Sequence, residues 1–135
     1  MSRLTRNIVA IALGLLAWAI VATLVNFVLR AVIPGYHAQE VAISYTLVAQ
    51  VSRLALGVIA TAAAAAVTVV MSRGSIGAAL AMGCLLLALF VPVHITLWHR
   101  FPVWYHLFFL ASLPFGAYVF GSVVANRGSA VRPAA

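Results

Sequence analysis

Lysine and aspartate are absent from this sequence, glutamate occurs once, at Glu40, and cysteine once, at Cys84. One acid cannot form a paired-carboxylate acid/base site, and a Ser-His-acid triad would have to use Glu40. One cysteine forms no intramolecular disulfide; inside its apolar run Cys84 reads as a small buried hydrophobe. No glycine-rich phosphate loop follows a strand. Charged residues make up only 7% of the 135, against 66% apolar, and the mean hydropathy is +1.18. Soluble domains carry roughly 25% charged and 45–50% apolar residues. A chain this small would bury only about 60–70% of its surface on folding in water. The apolar excess therefore calls for lipid as the solvent, which excludes a soluble enzyme, a disordered chain and a disulfide-stapled secreted domain.

The charge that is present is almost all arginine, for a formal net charge of +7. Arg3, Arg6, Arg30, Arg73, Arg100, Arg127 and Arg132 punctuate long apolar stretches, and Arg53 sits beside one. That pattern fits helix-end anchoring, not a nucleic-acid patch, so the expected partner is the lipid bilayer. A spanning helix needs about 20 apolar residues. Four candidates meet this: residues 8–29, 41–71, 75–97 and 103–124. The runs are too long, and too free of alternation, for strands. The expected fold is an all-α integral-membrane four-helix bundle, one domain over residues 1–127, with 128–135 a disordered tail. Residues 17–19 offer an A-x-A signal-cleavage site, but a retained helix explains the whole run to Leu29 and a cleaved signal only half of it. With the N-terminus inside, the inner face holds Arg3, Arg6, Arg73, Arg127 and Arg132, and the outer face Arg30, Arg53 and Arg100. The positive-inside bias then places both termini in the cytoplasm of a bacterial inner membrane.

Residues 41–71, as one helix, would extend about 46 Å, well beyond a hydrocarbon core of about 30 Å. Residues 54–71 alone can span. Residues 38–52 then either project as a continuation of the helix or lie along the membrane surface, after a Pro34-Gly35 turn. On one unbroken helix Arg53 and Glu40 would stand about 20 Å apart. Contact between them requires the segment to bend back; otherwise Arg53 meets carbonyls, a tyrosine or a lipid phosphate. Thr46, Gln50, Arg53, Gly57, Thr61, Ala64 and Thr68 step by four and three, a polar and small stripe suited to helix packing. Across the Ser72-Arg73-Gly74 turn, Gly77, Ala79 and Gly83 suggest a close hairpin with the third helix. Pro92 and Pro114 fall inside the third and fourth helices, where they should bend them, and Pro102 suits the first turn of the fourth.

The densest chemistry lies between the third and fourth helices, where His94, His99 and His106 interleave with Trp98, Arg100, Trp104 and Tyr105. His37 lies near Glu40 in the other outer loop. Together His37, Glu40, Arg53, His94, His99, Arg100 and His106 form a candidate polar cluster on one membrane face. His94 and His106 share a depth and can approach one another. A bis-histidine haem would need them on opposite walls of a cavity, and no H-x-x-H spacing supports zinc. No cofactor and no metal are therefore expected, and no catalytic residue is assigned.

Residues 101–110, with Pro114 and Gly116 after them, resemble a Pro-x-Trp-Tyr-His segment recurring in small uncharacterised four-helix bacterial membrane proteins. The resemblance covers about the last quarter of the chain and implies the helix layout without an activity. Small multidrug exporters share length and helix number but carry a glutamate in helix 1, absent here. The leading expectation is a non-enzymatic accessory or interaction protein, working with a membrane-protein partner or as a homo-oligomer. Two alternatives stand beside it: a small transporter or channel lined by the stripe, and a lipid- or quinone-handling enzyme using His94, His99, His106 and Arg53.

Overall fold

The computed structural model describes residues 1–130, with α5 the last element. Five helices follow in order: α1 (Arg3–Val32), α2 (Tyr36–Ala42), α3 (Leu47–Met71), α4 (Ile76–Thr96) and α5 (Val103–Ala130). No strand occurs among the described residues. Four of the helices, α1, α3, α4 and α5 as far as Gly128, are long and apolar enough to cross a membrane. Three begin on a hydroxyl cap: Ser2, Thr46 and Ser75 each accept a backbone N–H three residues on, satisfying a donor the helix leaves orphaned.

The second apolar stretch is not one helix. α2 stops at Ala42, Ile43 turns into the left-handed region at φ 49°, and α3 restarts after Thr46. The Ser44 amide reaches the Gln39 carbonyl and the Ile43 amide the Glu40 carbonyl, the paired bonds of a Schellman stop. The same device closes α3, with Arg73 at φ 61° and the Gly74 amide on the Val69 carbonyl. The first helix runs beyond 8–29 at both ends, and the last runs six residues past 124. Residues 128–130 therefore complete α5 and are not tail; 131–135, with Arg132, lie outside the described residues. Pro92 and Pro114 sit within α4 and α5 without ending them, and Pro102 immediately precedes α5.

α3 is the central helix. It buries ten residues on two faces, from Ala49 to Val69, whereas α1 buries only Ala10 and Gly14. α1 lies against α3 at Gly14, where an added Cβ would strike the Thr68 hydroxyl and sit 3.2 Å from the Ala64 carbonyl. The alanine run thus receives α1, while Ala64 and Ala65 share a buried cluster with Met82 and Leu86 of α4. Gly83 of α4 backs onto α5, with its missing Cβ 2.8 Å from the Leu113 carbonyl, and Ala79 faces Gly121. Of the small residues expected to meet α3 across the turn, Ala79 and Gly83 instead serve the α4–α5 crossing, and Gly77 has no other helix within 4 Å of its missing Cβ. Cys84 also departs from expectation, lying exposed on α4.

Candidate functional site

Both groups of polar side chains that the sequence places together gather at the end of the molecule capped by α2. The first is centred on Glu40. The backward turn of α2 lays its carboxylate over α1 and α3. Arg30 Nε donates to Oε2 at 2.6 Å, and Asn26 Nδ2 donates to Oε1 at 2.9 Å. Arg53 Nη1 lies 3.5 Å from Oε1 and donates to the Tyr36 hydroxyl at 3.2 Å, which in turn donates to Asn26 Oδ1. His37 Nδ1 stands 3.8 Å from Oε2. Burial alone would raise the Glu40 carboxyl, but the Asn26 and Arg30 hydrogen bonds and the charges of Arg30 and Arg53 outweigh it and hold it below its ordinary 4.5. The Arg53 guanidinium also packs 4.7 Å over the Tyr45 ring, and Tyr36 and Tyr105 lie within its field.

The second group is the imidazole pair. His94 and His106 meet Nδ1 to Nδ1 at 2.8 Å, and His106 Nε2 lies 3.3 Å from the Trp98 carbonyl. A carbonyl only accepts, so His106 Nε2 carries a proton. With His106 neutral, its Nδ1 accepts, His94 Nδ1 donates, and His94 Nε2 is left as a bare lone pair. Trp98 stacks on His106 at 4.7 Å, and Phe109 on His94 at 4.8 Å. His106 is fully buried and His94 nearly so.

Arg53 forms part of the wall of two cavities. One, of about 400 Å³, opens between α1 and α3 beneath α2 and is lined by Trp18, Asn26, Arg30 and Glu40 among others. The other, of about 80 Å³, lies among α3, α4 and α5 and touches His94 and His106. Tyr45 stacks on Phe101, and Phe101 on Tyr105, so an aromatic bridge joins the two groups.

The sequence-derived cluster is thus two sites and two bystanders. Glu40 and Arg53, with His37 at the rim, form the first; His94 and His106 form the second. His99 and Arg100 stand exposed on the α4–α5 connection, past the last turn of α4. Among the described residues no three metal-ligating side chains converge. The packing stripe also shortens. Gly57, Thr61, Ala64 and Thr68 are buried, with the Thr61 hydroxyl donating to the Gly57 carbonyl and accepting from the Trp18 indole, and the Thr68 hydroxyl donating to the Ala64 carbonyl. Thr46 precedes α3, caps it and binds Gln39, and Gln50, in its first turn, turns back to the Tyr45 carbonyl; both therefore leave the stripe. Among the described residues, none of the five main cavities is lined by Gly57, Thr61, Ala64 or Thr68.

Sequence reasoning passed over Asn26. Its signal was present: a lone amide in an apolar run, four residues before Arg30 and so on the same helix face. Comparison with protein families, curated proteins and solved structures finds no match.

Proposed function

We propose that this chain is a non-enzymatic accessory protein of a bacterial inner membrane, a four-helix bundle with both termini in the cytoplasm. It acts by holding a membrane-protein partner, or a second copy of itself, through its outward helix faces and the polar rim. The observation that carries this reading is the way the strongest polar groups are spent. Both oxygens of the only acid accept hydrogen bonds from Asn26, Arg30 or Arg53, and the Nδ1 atoms of the two buried imidazoles bind each other. These bonds hold α2 to α1 and α3, and α4 to α5, and the one imidazole lone pair they leave, on His94 Nε2, belongs to a nearly buried residue. The spent hydroxyls of Thr61 and Thr68 likewise favour packing over a conduit along α3. At the opposite end Arg6 Nε donates to the Ser72 carbonyl, which supports grouping the N-terminus with the arginine-bearing α3–α4 turn on one face.

Native-level purification in mild detergent, with mass spectrometry of all retained protein, tests the reading. A defined partner or a homo-oligomer of fixed stoichiometry is the expected result. A monomer without any protein companion would overturn it. Reporter fusions after residues 35, 73 and 100 should read out, in, out; any other order overturns the orientation.

A further inference from the structure

The carboxylate and amide acceptors at the head of the recess between α1 and α3 are used up, while donors remain. Both Glu40 oxygens and Asn26 Oδ1 accept hydrogen bonds from neighbouring side chains. Arg30 spends only its Nε on Glu40, leaving both Nη groups, and its side chain is 39% exposed. Arg53 commits Nη1 to Tyr36 and Glu40 and keeps its Nε sealed from solvent, so it adds charge to the wall while the reachable donors are those of Arg30. Two guanidiniums against one carboxylate leave a single positive charge at the head of the recess. Its flank is apolar, with Trp18, Ala22 and Leu56. A second hollow of about 290 Å³, lined by Ala19, Ile20, Thr23 and Leu24, shares Ala19 and Thr23 with it and continues along the outside of α1.

We propose that this recess is a binding site for the phosphodiester of a phospholipid, the headgroup phosphate on the Nη groups of Arg30 within the field of Arg53, and an acyl chain along the Ala19–Leu24 hollow of α1. A phosphodiester carries one negative charge, which matches the single unbalanced guanidinium, and its oxygens accept from the fork of an arginine. A phosphate monoester, at nearly two negative charges, would be under-neutralised. The volume lies at the lower end of small-molecule sites, enough for a headgroup and not for a buried ring cofactor. The contiguous apolar hollow favours a lipid over free phosphate. The inference rests on membrane embedding and not on the identity of any protein partner.

The full chain, purified in detergent and delipidated, is examined by native mass spectrometry with phosphatidylglycerol, with diacylglycerol of the same acyl chains, or with inorganic phosphate alone. Phosphatidylglycerol should be retained at one per chain, and the other two should be held at least about tenfold less well, as loss of hydrogen bonds to a charged group implies. Arg30→Gln and Ala22→Leu, the second filling the recess without touching a polar contact, should each weaken retention by about tenfold. Leu89→Ala, on the exposed face of α4, should leave it unchanged. Equal retention of diacylglycerol overturns the phosphate contact. Equal binding of inorganic phosphate overturns the lipid as its source. Unchanged retention in Ala22→Leu overturns the site, even where Arg30→Gln fails to fold. A chain that stays soluble without detergent would instead refute the membrane reading on which the test stands.

Discussion

Glu40 sits among cations and stays near the surface; His94 and His106 sit among rings and go deep. The Glu40 side chain is 14% exposed and its partner Arg30 39%, whereas His106 is fully buried. An ionised group in a low-dielectric interior needs every lone pair answered and a route to water. Glu40 therefore draws on three elements and keeps to the rim. A neutral imidazole needs only one donor and one acceptor, so two of them can close on each other beneath Trp98 and beside Phe109. One region joins α2 to the bundle by charge; the other joins α4 to α5 by shape and one shared proton.

The largest expected effect comes from breaking the deeper region. His106→Ala removes a fully buried ring and strands the His94 Nδ1–H, a loss of about 3–4 kcal/mol in detergent unfolding. His106→Phe keeps the ring and loses only the hydrogen bonds, so about 1–2 kcal/mol should separate the two variants. Equal losses would mean that the imidazole contact contributes nothing beyond volume. Salt sharpens the contrast: added salt should leave the effect of either variant unchanged, because no net charge is involved.

Glu40→Gln comes next. It preserves shape but leaves two guanidiniums facing each other across the recess, one of them exposed enough to relax, for a loss of about 2 kcal/mol. This loss should shrink at high ionic strength, opposite to the imidazole pair. A salt-independent loss would assign Glu40 a role through shape alone.

Acid should also separate the regions, with a smaller effect. The folded Glu40 carboxyl lies below its ordinary value, so the folded state binds fewer protons than the unfolded one. Its contribution is fully present above the unfolded carboxylate value and disappears as pH falls through the lower folded value. Unfolding midpoints measured below pH 5 should fall in wild type more steeply than in Glu40→Gln. Parallel curves would place the acid sensitivity elsewhere.

The contrast also explains what was legible in the sequence. Four apolar stretches of spanning length gave four helices, because composition and length govern that outcome. An approach of His94 to His106 was readable as open to them, since each lies about one turn inside a helix flanking a short connection, but whether they met was not. The contact between Glu40 and Arg53 was open between two readings, because it depends on a reversal at Ile43 that hydropathy does not record. Schellman stops are usually marked by glycine; here a β-branched residue occupies the left-handed position, so the chain carries no turn signal there. The faces of α4 were misassigned for a related reason. Small residues mark close approach without naming the helix that approaches, and Gly83 found α5.

That silent turn gives the smallest and most discriminating prediction. A β-branched residue at φ 49° is strained, because its Cβ crowds the neighbouring backbone, and persists only where surrounding contacts over-determine it. Ile43 is 37% exposed, so replacement gives up some apolar burial in exchange for relief of the turn. Ile43→Asn should relieve about 0.5–1 kcal/mol of strain, a gain set against the apolar burial it gives up, since asparagine tolerates the left-handed region. What over-determines the turn is the carboxylate cluster, which fixes α2 to α1 and α3 from three residues upstream. With Glu40→Gln in place α2 is freer to relax the turn unaided, so the gain from Ile43→Asn should be smaller there than in wild type. A double-mutant cycle on unfolding midpoints measures this coupling. Strict additivity would mean that the turn is set by the loop itself, and that the charged region, like the imidazole pair, stabilises only what it touches.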